Sequence, residues 1–473
     1  MKAVLFALAV GVAFVLISSG GAVGEIRHKL ELVGSDGLEI GSQTSDLDMD
    51  PSRDVAYVGS YVDLGVAVVK MTDRANPQVV KILDTHYTRA NDRNNASDSA
   101  DVDLKGNLLA VASQPWSIYV GGIGVKGFGG VSLYDTSTPF SPAFLGQVWT
   151  GGTHDVQIDP AYPNRPYVYS ANFESDDPVH GHKVSIINAS DPHHPEIIAD
   201  YRSPEALGCV PTPGHSCDSA FSVFNSAHDL TLLVHPDTGR VLLYVAYWDS
   251  GVRIVDVTDP RHPAEIGAMD YTPTFTKQGL EATCCAHYAQ PTPSGHWVLL
   301  EDEIGIGLAG GVHILRADGC DGVHSCSLTQ VSTWSPQGAG TQASAIHATI
   351  NTNGSLFPNG IIQRFFTRDV HNLDVREDQF LAPAYSSGVF LVDIHDKASP
   401  FAVAFWQGAA DVKTACHGKN TLIPWGYQGD CFFQGREVWG AKFGEAVPGS
   451  PSDFYIYASD FWDGFLILRT ATI

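Results

Sequence analysis

Positively charged residues are scarce in this sequence. Its 473 residues include 28 Lys and Arg against 52 Asp and Glu, which gives a formal net charge of −24. Nucleic-acid binding needs clustered Lys and Arg to replace counterions, and anionic membrane surfaces attract basic segments. The composition therefore argues against both kinds of partner. An excess of acidic groups keeps a protein soluble and attracts cations.

Several catalytic and binding motifs are also missing. There is no GxSxG nucleophile elbow, and no Gly-rich stretch is followed by Lys-Ser or Lys-Thr, so serine-hydrolase and phosphate-cradling sites have no support. No CxxC pair occurs, which removes the zinc-ribbon and thioredoxin interpretations. The aspartates of Asp46–Asp50 lack the spacing and central glycine of an EF-hand loop. The acidic run Glu301–Glu303 is expected to be a solvated strand end or turn.

One apolar run stands at the N-terminus, and no later run is long enough to cross a bilayer. A basic Lys2, an apolar stretch over residues 3–17 and small residues up to Gly24 form the pattern of a signal peptide. We expect cleavage after Ala22 or Gly24 and export of residues 25–473 to the periplasm, the cell surface or the medium. No stable membrane insertion is expected after cleavage.

The eight cysteines form an even set, which suits disulfides in an exported protein. Three pairs lie close in sequence and are predicted to bridge as loop staples: Cys209–Cys217, Cys320–Cys326 and Cys416–Cys431. The adjacent Cys284 and Cys285 stay open. They could form a vicinal bridge, remain reduced or exchange with the other pairs.

A repeated segment is the strongest signal in the chain. Apolar strands that start with Gly recur at residues 130–142, 251–263, 388–400 and 464–469, with a less close copy at 65–77. The first three end in Asp and run into a turn that contains Pro. Each copy lies in a unit of four short strands and roughly 40 to 60 residues, which is the spacing of propeller blades. Helix signals are almost absent. The sequence therefore predicts an all-β fold, a β-propeller.

The repeat count predicts one seven-bladed β-propeller domain over residues 25–473. The seven blades begin near Asp46, Asp101, His154, His228, His287, His371 and Glu437. The last unit stops after three strands. The segment His28–Val33 can supply its fourth strand, and that pairing would close the ring and remove two open sheet edges.

Two recurring residue patterns have a structural explanation. The Asp that ends the repeated strand, at Asp135, Asp256 and Asp393, is expected to bond the backbone two residues on and start the turn. The dipeptides Trp248-Asp249 and Trp462-Asp463, each just before a repeated strand, are expected to be packing and turn features.

The repeated strands VSLYD from Val131, VRIVD from Val252 and VFLVD from Val389 resemble the LVIVD repeat of exported bacterial and archaeal propeller proteins. The resemblance covers most of residues 41–470. It implies a cell-surface or secreted propeller without a general catalytic assignment. Together with the missing catalytic motifs, it favours a binding or scaffold module with a small-molecule or protein ligand at the channel mouth.

Aligning the blade starts brings four histidines to one position of the innermost strand: His154, His228, His287 and His371. Innermost strands line the central channel, so side chains at one height converge on the axis. Asp155 and Asp229 follow as candidate hydrogen-bond partners of such ligands. Negative charge from the other blades is expected at Asp46, Asp101 and Glu437, and His347 is a further candidate ligand.

Two interpretations of the four histidines remain open. Imidazole suits Cu, Fe and Zn, so they could hold a transition metal; otherwise they form a ring of polar groups in a wet channel. A four-His iron centre on a seven-bladed propeller is similar to the carotenoid cleavage oxygenases. A periplasmic metal-bearing propeller is similar to the selenium-binding-protein-type methanethiol oxidases. The alternative to a binding module is therefore a metalloenzyme, an oxidase or oxygenase.

Overall fold

The computed structural model describes most of the chain in separate ranges. These are residues 28–38, 44–60, 65–84, 97–115, 129–173, 179–204, 226–248, 250–270, 275–277, 280–282, 286–303, 311–336, 370–385, 387–406, 438–461 and 463–472. Several predictions of the sequence lie outside them: the signal peptide, Cys209, Cys217, Asp249, Cys284, Cys285, His347, Cys416, Cys431, Glu437 and Trp462. No helix within these ranges has the length and apolar character that a membrane crossing needs.

The described ranges are built almost entirely of β-strands. In the first half they are β1 (His28–Asp36), β2 (Thr44–Asp50), β3 (Val55–Ser60), β4 (Val66–Lys70), β5 (Gln78–Leu83), β6 (Ser97–Lys105), β7 (Leu108–Pro115), β8 (Gly130–Asp135), β9 (Ala143–Trp149), β10 (Asp155–Ile158), β11 (Tyr167–Ala171), β12 (Val184–Asn188), β13 (Glu196–Tyr201), β14 (Asp229–Val234) and β15 (Val241–Ala246). In the second half they are β16 (Val252–Asp256), β17 (Ala264–Met269), β18 (Phe275–Lys277), β19 (Leu280–Ala282), β20 (Ala286–Pro291), β21 (Trp297–Asp302), β22 (Val312–Asp318), β23 (Ser327–Trp334), β24 (Asp374–Val375), β25 (Gln379–Pro383), β26 (Val389–Asp393), β27 (Phe401–Trp406), β28 (Val438–Val447), β29 (Ser450–Asp460) and β30 (Gly464–Thr472). A short 3₁₀ helix, Pro51–Arg53, separates β2 from β3.

The strands form antiparallel sheets in which neighbours in sequence are neighbours in space. Four-stranded sheets have the orders β10-β11-β12-β13, β14-β15-β16-β17, β20-β21-β22-β23 and β24-β25-β26-β27. Strands β2 to β9 form one eight-stranded sheet whose two halves are joined by a single pair, Ser60 with Ser99. Strands β18 and β19 form a separate hairpin. The all-β prediction is confirmed.

The N-terminal strand pairs with the last one. Strand β1 runs antiparallel to β30 in a sheet of order β1-β30-β29-β28, with Leu32 opposite Leu468. The predicted fourth strand of the last unit is therefore present in that sheet. Leu30 is buried at 2% exposure while Leu32, two positions further on, is 44% exposed, so the covering of β1 by the core changes along the strand.

Burial follows the apolar pattern of the sequence. Every residue of β3 and β15 is buried, as expected for continuous apolar runs that are covered on both faces, whereas β5 alternates between exposed and covered positions. The core lies between the faces of successive sheets. For example, Tyr169 and Val184 of one sheet share an apolar cluster with Leu243 of the next.

The first strands of the successive units lie beside one another. Strand β2 contacts β6, and the contacts continue through β10, β14, β20 and β24 to β28, which in turn contacts β2. Polar residues near the starts of these strands therefore face a common space, and this arrangement positions the candidate site.

The recurring aspartates act as turn residues, as predicted. Asp135 accepts a hydrogen bond from the backbone of Ser137 at 2.8 Å, and Asp256 accepts one from Thr258 at 2.9 Å. Asp393 does the same with the N–H of His395 at 2.8 Å. The predicted bridge Cys320–Cys326 is also present.

Candidate metal centre

The four histidines of the sequence alignment lie at the starts of four neighbouring first strands. His154 and His228 directly precede β10 and β14, His371 lies three residues before β24, and His287 is the second residue of β20. The backbone N–H of His154 donates to Ala171 at 2.8 Å, and that of His228 donates to Ala246 at 2.9 Å. His371 makes the corresponding bond to Pro383 at 2.8 Å.

His287 joins the others through an irregularity of its strand. The pairing of β20 with β21 shifts between Ala286 and Tyr288, so His287 is the extra residue of a bulge. Bulges re-aim a side chain relative to the regular pleat.

The four imidazole rings form a continuous row. Ring centroids are 4.3 Å apart for His154 and His228, 4.3 Å for His228 and His287, and 4.2 Å for His287 and His371. One ligand atom each of His154, His228 and His287 lies within 4.8 Å of the others, and a second such group consists of His287, His371 and Glu303. The structure thus brings the predicted residues together in two overlapping groups that share His287.

Each ring uses its Nδ1 atom for a hydrogen bond to an oxygen. His154 Nδ1 lies 2.8 Å from the amide oxygen of Gln114, and His287 Nδ1 lies 2.9 Å from the carboxylate of Glu301. Because a carboxylate or an amide oxygen accepts, Nδ1 carries the proton in these two rings and Nε2 keeps its lone pair.

The other two rings are held in the same way. His371 Nδ1 donates to the backbone carbonyl of Trp439 at 2.9 Å, and His228 Nδ1 lies 3.2 Å from Oδ1 of Asp229. Among the described residues, no group forms a hydrogen bond with Nε2 of His287 or His371, although both atoms are buried. Metal-ligating histidines characteristically have one ring nitrogen bonded to an oxygen and the other directed at the metal.

Burial keeps the row uncharged. Burial lowers the pKa of His154 to about 4. Burial also holds the pKa values of His228, His287 and His371 well below the usual histidine range, and neighbouring imidazoles add to this effect in His228 and His287. Neutral imidazole is the form that binds a metal, so no proton has to be displaced from Nε2 at neutral pH.

The acidic run Glu301–Glu303 was expected to be solvated, and this prediction is wrong. Glu301 is fully buried, Asp302 is 4% exposed and Glu303 is 7% exposed. Glu301 and Asp302 end strand β21, and Glu303 follows it. Glu301 and Glu303 lie beside His287, whereas Asp302 pairs with His313 at 2.7 Å. Oε2 of Glu303 lies 3.5 Å from Nε2 of His287.

Tyr385 holds Glu303 from the other side, because its hydroxyl donates to Oε1 of that carboxylate. Its ring centroid lies 5.4 Å from that of His371. Tyr385 has a positive φ of 36°, a backbone conformation that is uncommon for a non-glycine residue. No sequence pattern pointed to Tyr385. It occupies the same place in its unit as Trp248 does in another, because each forms an isolated bridge to the first strand of the next unit.

Aromatic side chains flank the row. Trp248 stacks on His228 with centroids 4.5 Å apart, and Phe173 lies 4.2 Å from the same ring. Trp439 lies 4.1 Å from His371. Trp248 was expected to be a packing and turn feature, and it does pack, but against the site. Rings on both ends of the row lower the local polarity and strengthen electrostatic interactions at the nitrogens.

The aspartates beside the row differ in role. Asp229 lies near His228, as predicted, and its Oδ1 is also 3.9 Å from Nε2 of His154. Within the described ranges Asp155 forms no hydrogen bond with a histidine ring; its Oδ2 accepts the backbone N–H of Leu230 at 2.6 Å.

The expected position of Asp101 is wrong by one residue. Asp101 pairs with Ala112 as Asp155 pairs with Ala171, so the counterpart of His154 in that unit is Ala100. Burial, and then the nearby Asp155, raise the pKa of Asp101 well above the usual range, which opposes the negative charge expected at this position.

Asp46 lies on β2, the first strand of a different unit. Its Oδ2 accepts a hydrogen bond from the side-chain amide of Asn372 at 2.7 Å. Gly440 makes room for it, because a Cβ at that position would lie 2.2 Å from Asp46 Oδ1.

Comparison with solved structures identifies the fold. The β-propeller domain of Cps50 (Swd1) from Myceliophteria thermophila aligns with a TM-score of 0.51 and 10% identity, over 94% of this chain and 99% of that one. The chain has a β-propeller fold. The periplasmic gluconolactonase of Pseudomonas aeruginosa aligns with a TM-score of 0.47 and 12% identity, over 94% of this chain and 96% of that one. No protein-family model and no curated protein sequence matches this chain. At such identities the similarity concerns the fold alone.

Proposed function

We propose that this β-propeller binds a transition metal ion, Cu, Fe or Zn, through Nε2 of His154, His228, His287 and His371. One observation carries the proposal: the Nδ1 atoms of these neutral rings are engaged with oxygens, which orients the Nε2 lone pairs as ligands. A ring of polar groups in a wet channel would not need this common orientation.

The ligand set limits which ions fit. Imidazole nitrogens suit Cu, Fe and Zn, whereas Ca and Mg prefer oxygen ligands. The two overlapping groups, His154–His228–His287 and His287–His371–Glu303, together hold five candidate ligand side chains. A Zn²⁺ ion would be satisfied by four of them, while Fe or Cu could use the fifth or keep a position open for a small molecule.

The ring that would surround this centre is proposed to have seven blades and to be closed by β1. The eight-stranded sheet divides into two four-stranded units at the single Ser60–Ser99 pair, which supports this count. The order of contacts between first strands, in which β28 meets β2, and the β1–β30 pairing support closure.

We also propose that the chain is an exported member of the LVIVD-type propellers that acts as a binding module, with a small-molecule or protein ligand at the channel mouth. The motif strands β8, β16 and β26 each occupy the third place of their unit, and this repetition supports the kinship. Amino-terminal sequencing of the protein from an expressing host, with a start at Val23 or Glu25, would support the signal peptide.

A metal-dependent oxidase or oxygenase is the second candidate function. The observation that favours it is the Tyr385–Glu303 pair beside His287, because a structural metal needs neither a carboxylate nor a phenol next to its ligands. Oxygen uptake by the metal-loaded protein, with thiols and with apolar aromatic compounds as reductants, would separate this function from simple metal binding.

The test of metal binding compares three untagged proteins by elemental analysis after loading with Fe²⁺, Cu²⁺ or Zn²⁺ and removal of excess ion. They are the parent, a variant with His154, His228, His287 and His371 changed to Ala, and a control with the exposed His193, His194, His262 and His324 changed to Ala. We expect the parent and the control to bind about one equivalent of metal that the first variant does not bind. The circular dichroism of the first variant should stay native. Equal metal content in all three would refute the proposal.

A further inference from the structure

A second group of metal-ligating side chains lies at the other end of the strands. His235 follows β14 and Asp237 lies in the turn that leads to β15, while His296 lies in the turn between β20 and β21. The six residues of β14 separate His228, directly before the strand, from His235, directly after it, so this group is roughly 20 Å from the histidine row. It draws its members from two different sheets.

The three side chains converge without bonding one another, and the backbone N–H of Asp237 donates to Nδ1 of His235 at a long 3.4 Å. One ligand atom from each lies within 4.8 Å of the other two. Nε2 of His296 is 3.8 Å from Oδ2 of Asp237, which is too long for a hydrogen bond, and the two imidazole centroids are 6.2 Å apart. Ligands of one metal ion are spaced in this way, because each lies about 2 Å from the ion rather than in contact with its neighbour.

The backbone fixes the buried member of the group. His235 is 2% exposed; its N–H donates to Arg240 at 2.7 Å and its carbonyl accepts from Gly239 at 2.8 Å. Its ring packs against Gly295, which has a φ of +74°, and a Cβ there would lie 2.6 Å from Cδ2 and Nε2 of the ring. The neighbouring turn thus carries a glycine where the imidazole needs the space, directly before His296.

Other exposed histidine–aspartate pairs of this chain are different. Nδ1 of His194 lies 2.9 Å from Asp191, and Nδ1 of His262 lies 2.8 Å from Asp259, three residues earlier on the same turn in each case. Those rings complete a local hydrogen bond. Asp237 and His296 belong to separate turns, so a local turn bond does not explain why they meet.

We propose that His235, Asp237 and His296 form a second metal site, for a divalent ion such as Zn²⁺, that bridges the β14–β15 and β20–β21 hairpins. Two imidazoles and a carboxylate leave one position of a tetrahedral ion for water, which is the ligand arrangement of open zinc sites. Asp237 and His296 have side chains 64% and 59% exposed, so the ion and its water would be accessible from solvent. This site is independent of the histidine row.

The experiment titrates metal-free full-length protein with Zn²⁺ against a chromophoric chelator. His296→Gln and Asp237→Asn remove exposed ligands, so the fold should persist; His262→Gln is the matched control on an equivalent exposed turn. We expect each ligand variant to lose one zinc equivalent or to bind it at least about tenfold more weakly, while the control keeps the parent's titration. The variant lacking the four row histidines should retain this equivalent.

The proposal also predicts a change in stability. Zn²⁺ bound only to the folded state should raise the melting temperature of the parent and of His262→Gln more than that of His296→Gln. Unchanged zinc stoichiometry and affinity in both ligand variants, or an equal loss in His262→Gln, would overturn the proposal.

Discussion

Asp155 accepts a 2.6 Å hydrogen bond from the backbone N–H of Leu230, which belongs to the next sheet. Asp103 makes the same kind of bond to Ile158, also at 2.6 Å. These bonds tie the first strands of neighbouring units together directly below the histidine row. The spacing between His154 and His228 is therefore set by a carboxylate that never touches either ring.

The hydrogen bond from His287 to Glu301 leads to a first prediction. Replacing Glu301 by Gln weakens the acceptor that fixes the ring tautomer, so metal affinity should fall about 10- to 100-fold. Glu265→Gln, which changes a carboxylate that accepts from Tyr201 elsewhere, is the control. Chelator competition measures both, and an equal affinity in parent and Glu301→Gln would contradict the role assigned to Glu301.

Glu303 should act as a fifth ligand. In Co²⁺-loaded protein, five-coordinate cobalt absorbs visible light more weakly than four-coordinate tetrahedral cobalt. Glu303→Gln should therefore change the intensity of these bands, with the cobalt content still near one equivalent. Tyr385→Phe keeps the carboxylate but removes its hydroxyl partner, and it should shift the bands less. A spectrum that is the same in all three proteins would show that Glu303 is not bound to the ion.

Two half-buried aspartates, Asp48 and Asp103, predict a pH-dependent stability. Burial, followed by repulsion from Asp103, raises the pKa of Asp48 to about 7, and burial and Asp101 raise that of Asp103 to about 6. An unfolded Asp titrates near 3.8. The folded state therefore holds more protons between about pH 4 and 7, and this contribution to stability decreases as the pH rises through that window.

Asn at these positions keeps an acceptor oxygen for the N–H groups of Leu104 and Ile158 but cannot ionise. We expect Asp48→Asn and Asp103→Asn to gain stability relative to the parent, on the order of 1–3 kcal/mol, as the pH rises from 4 to 7. Urea unfolding at several pH values measures this difference. The unfolding free energy of the control Asp73→Asn, at an exposed turn, should change with pH as that of the parent does. The same pH dependence in all variants would disprove the prediction.

Strand β1 offers a matched pair for stability. Leu30→Ala removes a side chain that is 2% exposed and should cost about 2–5 kcal/mol of unfolding free energy. Leu32→Ala, at 44% exposure two positions along the same strand, should change it by less than about 0.5 kcal/mol. Chemical denaturation of both variants checks this. A similar small effect of both would mean that β1 contributes little to the folded core.

The sequence predicted the fold and the four histidines because both are repeated, and a repeat reveals equivalent positions. It failed where one residue of register decides the outcome. Asp101 aligns with His154 in the sequence although it pairs as Asp155 does. Such shifts exchange the two faces of a strand and leave the composition unchanged.

Glu303 and Tyr385 could not have been found by the same reasoning. An acidic run is ordinarily solvated, and only the pairing of β21 with β20 brings Glu301 and Glu303 toward the histidines. Tyr385 reaches Glu303 from a different sheet, 82 positions further along the chain. No local pattern encodes a contact at that separation.

The pairing of β1 with β30 also has a consequence for the time course of folding. Glu31 and Arg469 are 438 positions apart in sequence and form a 2.9 Å ion pair. Strand β1 has no partner until β30 has been synthesised, and contacts of such long range slow folding and expose unpaired edges meanwhile. This sheet can thus be completed only after β30 has been made, so its protection from hydrogen exchange is a marker for a late step of assembly.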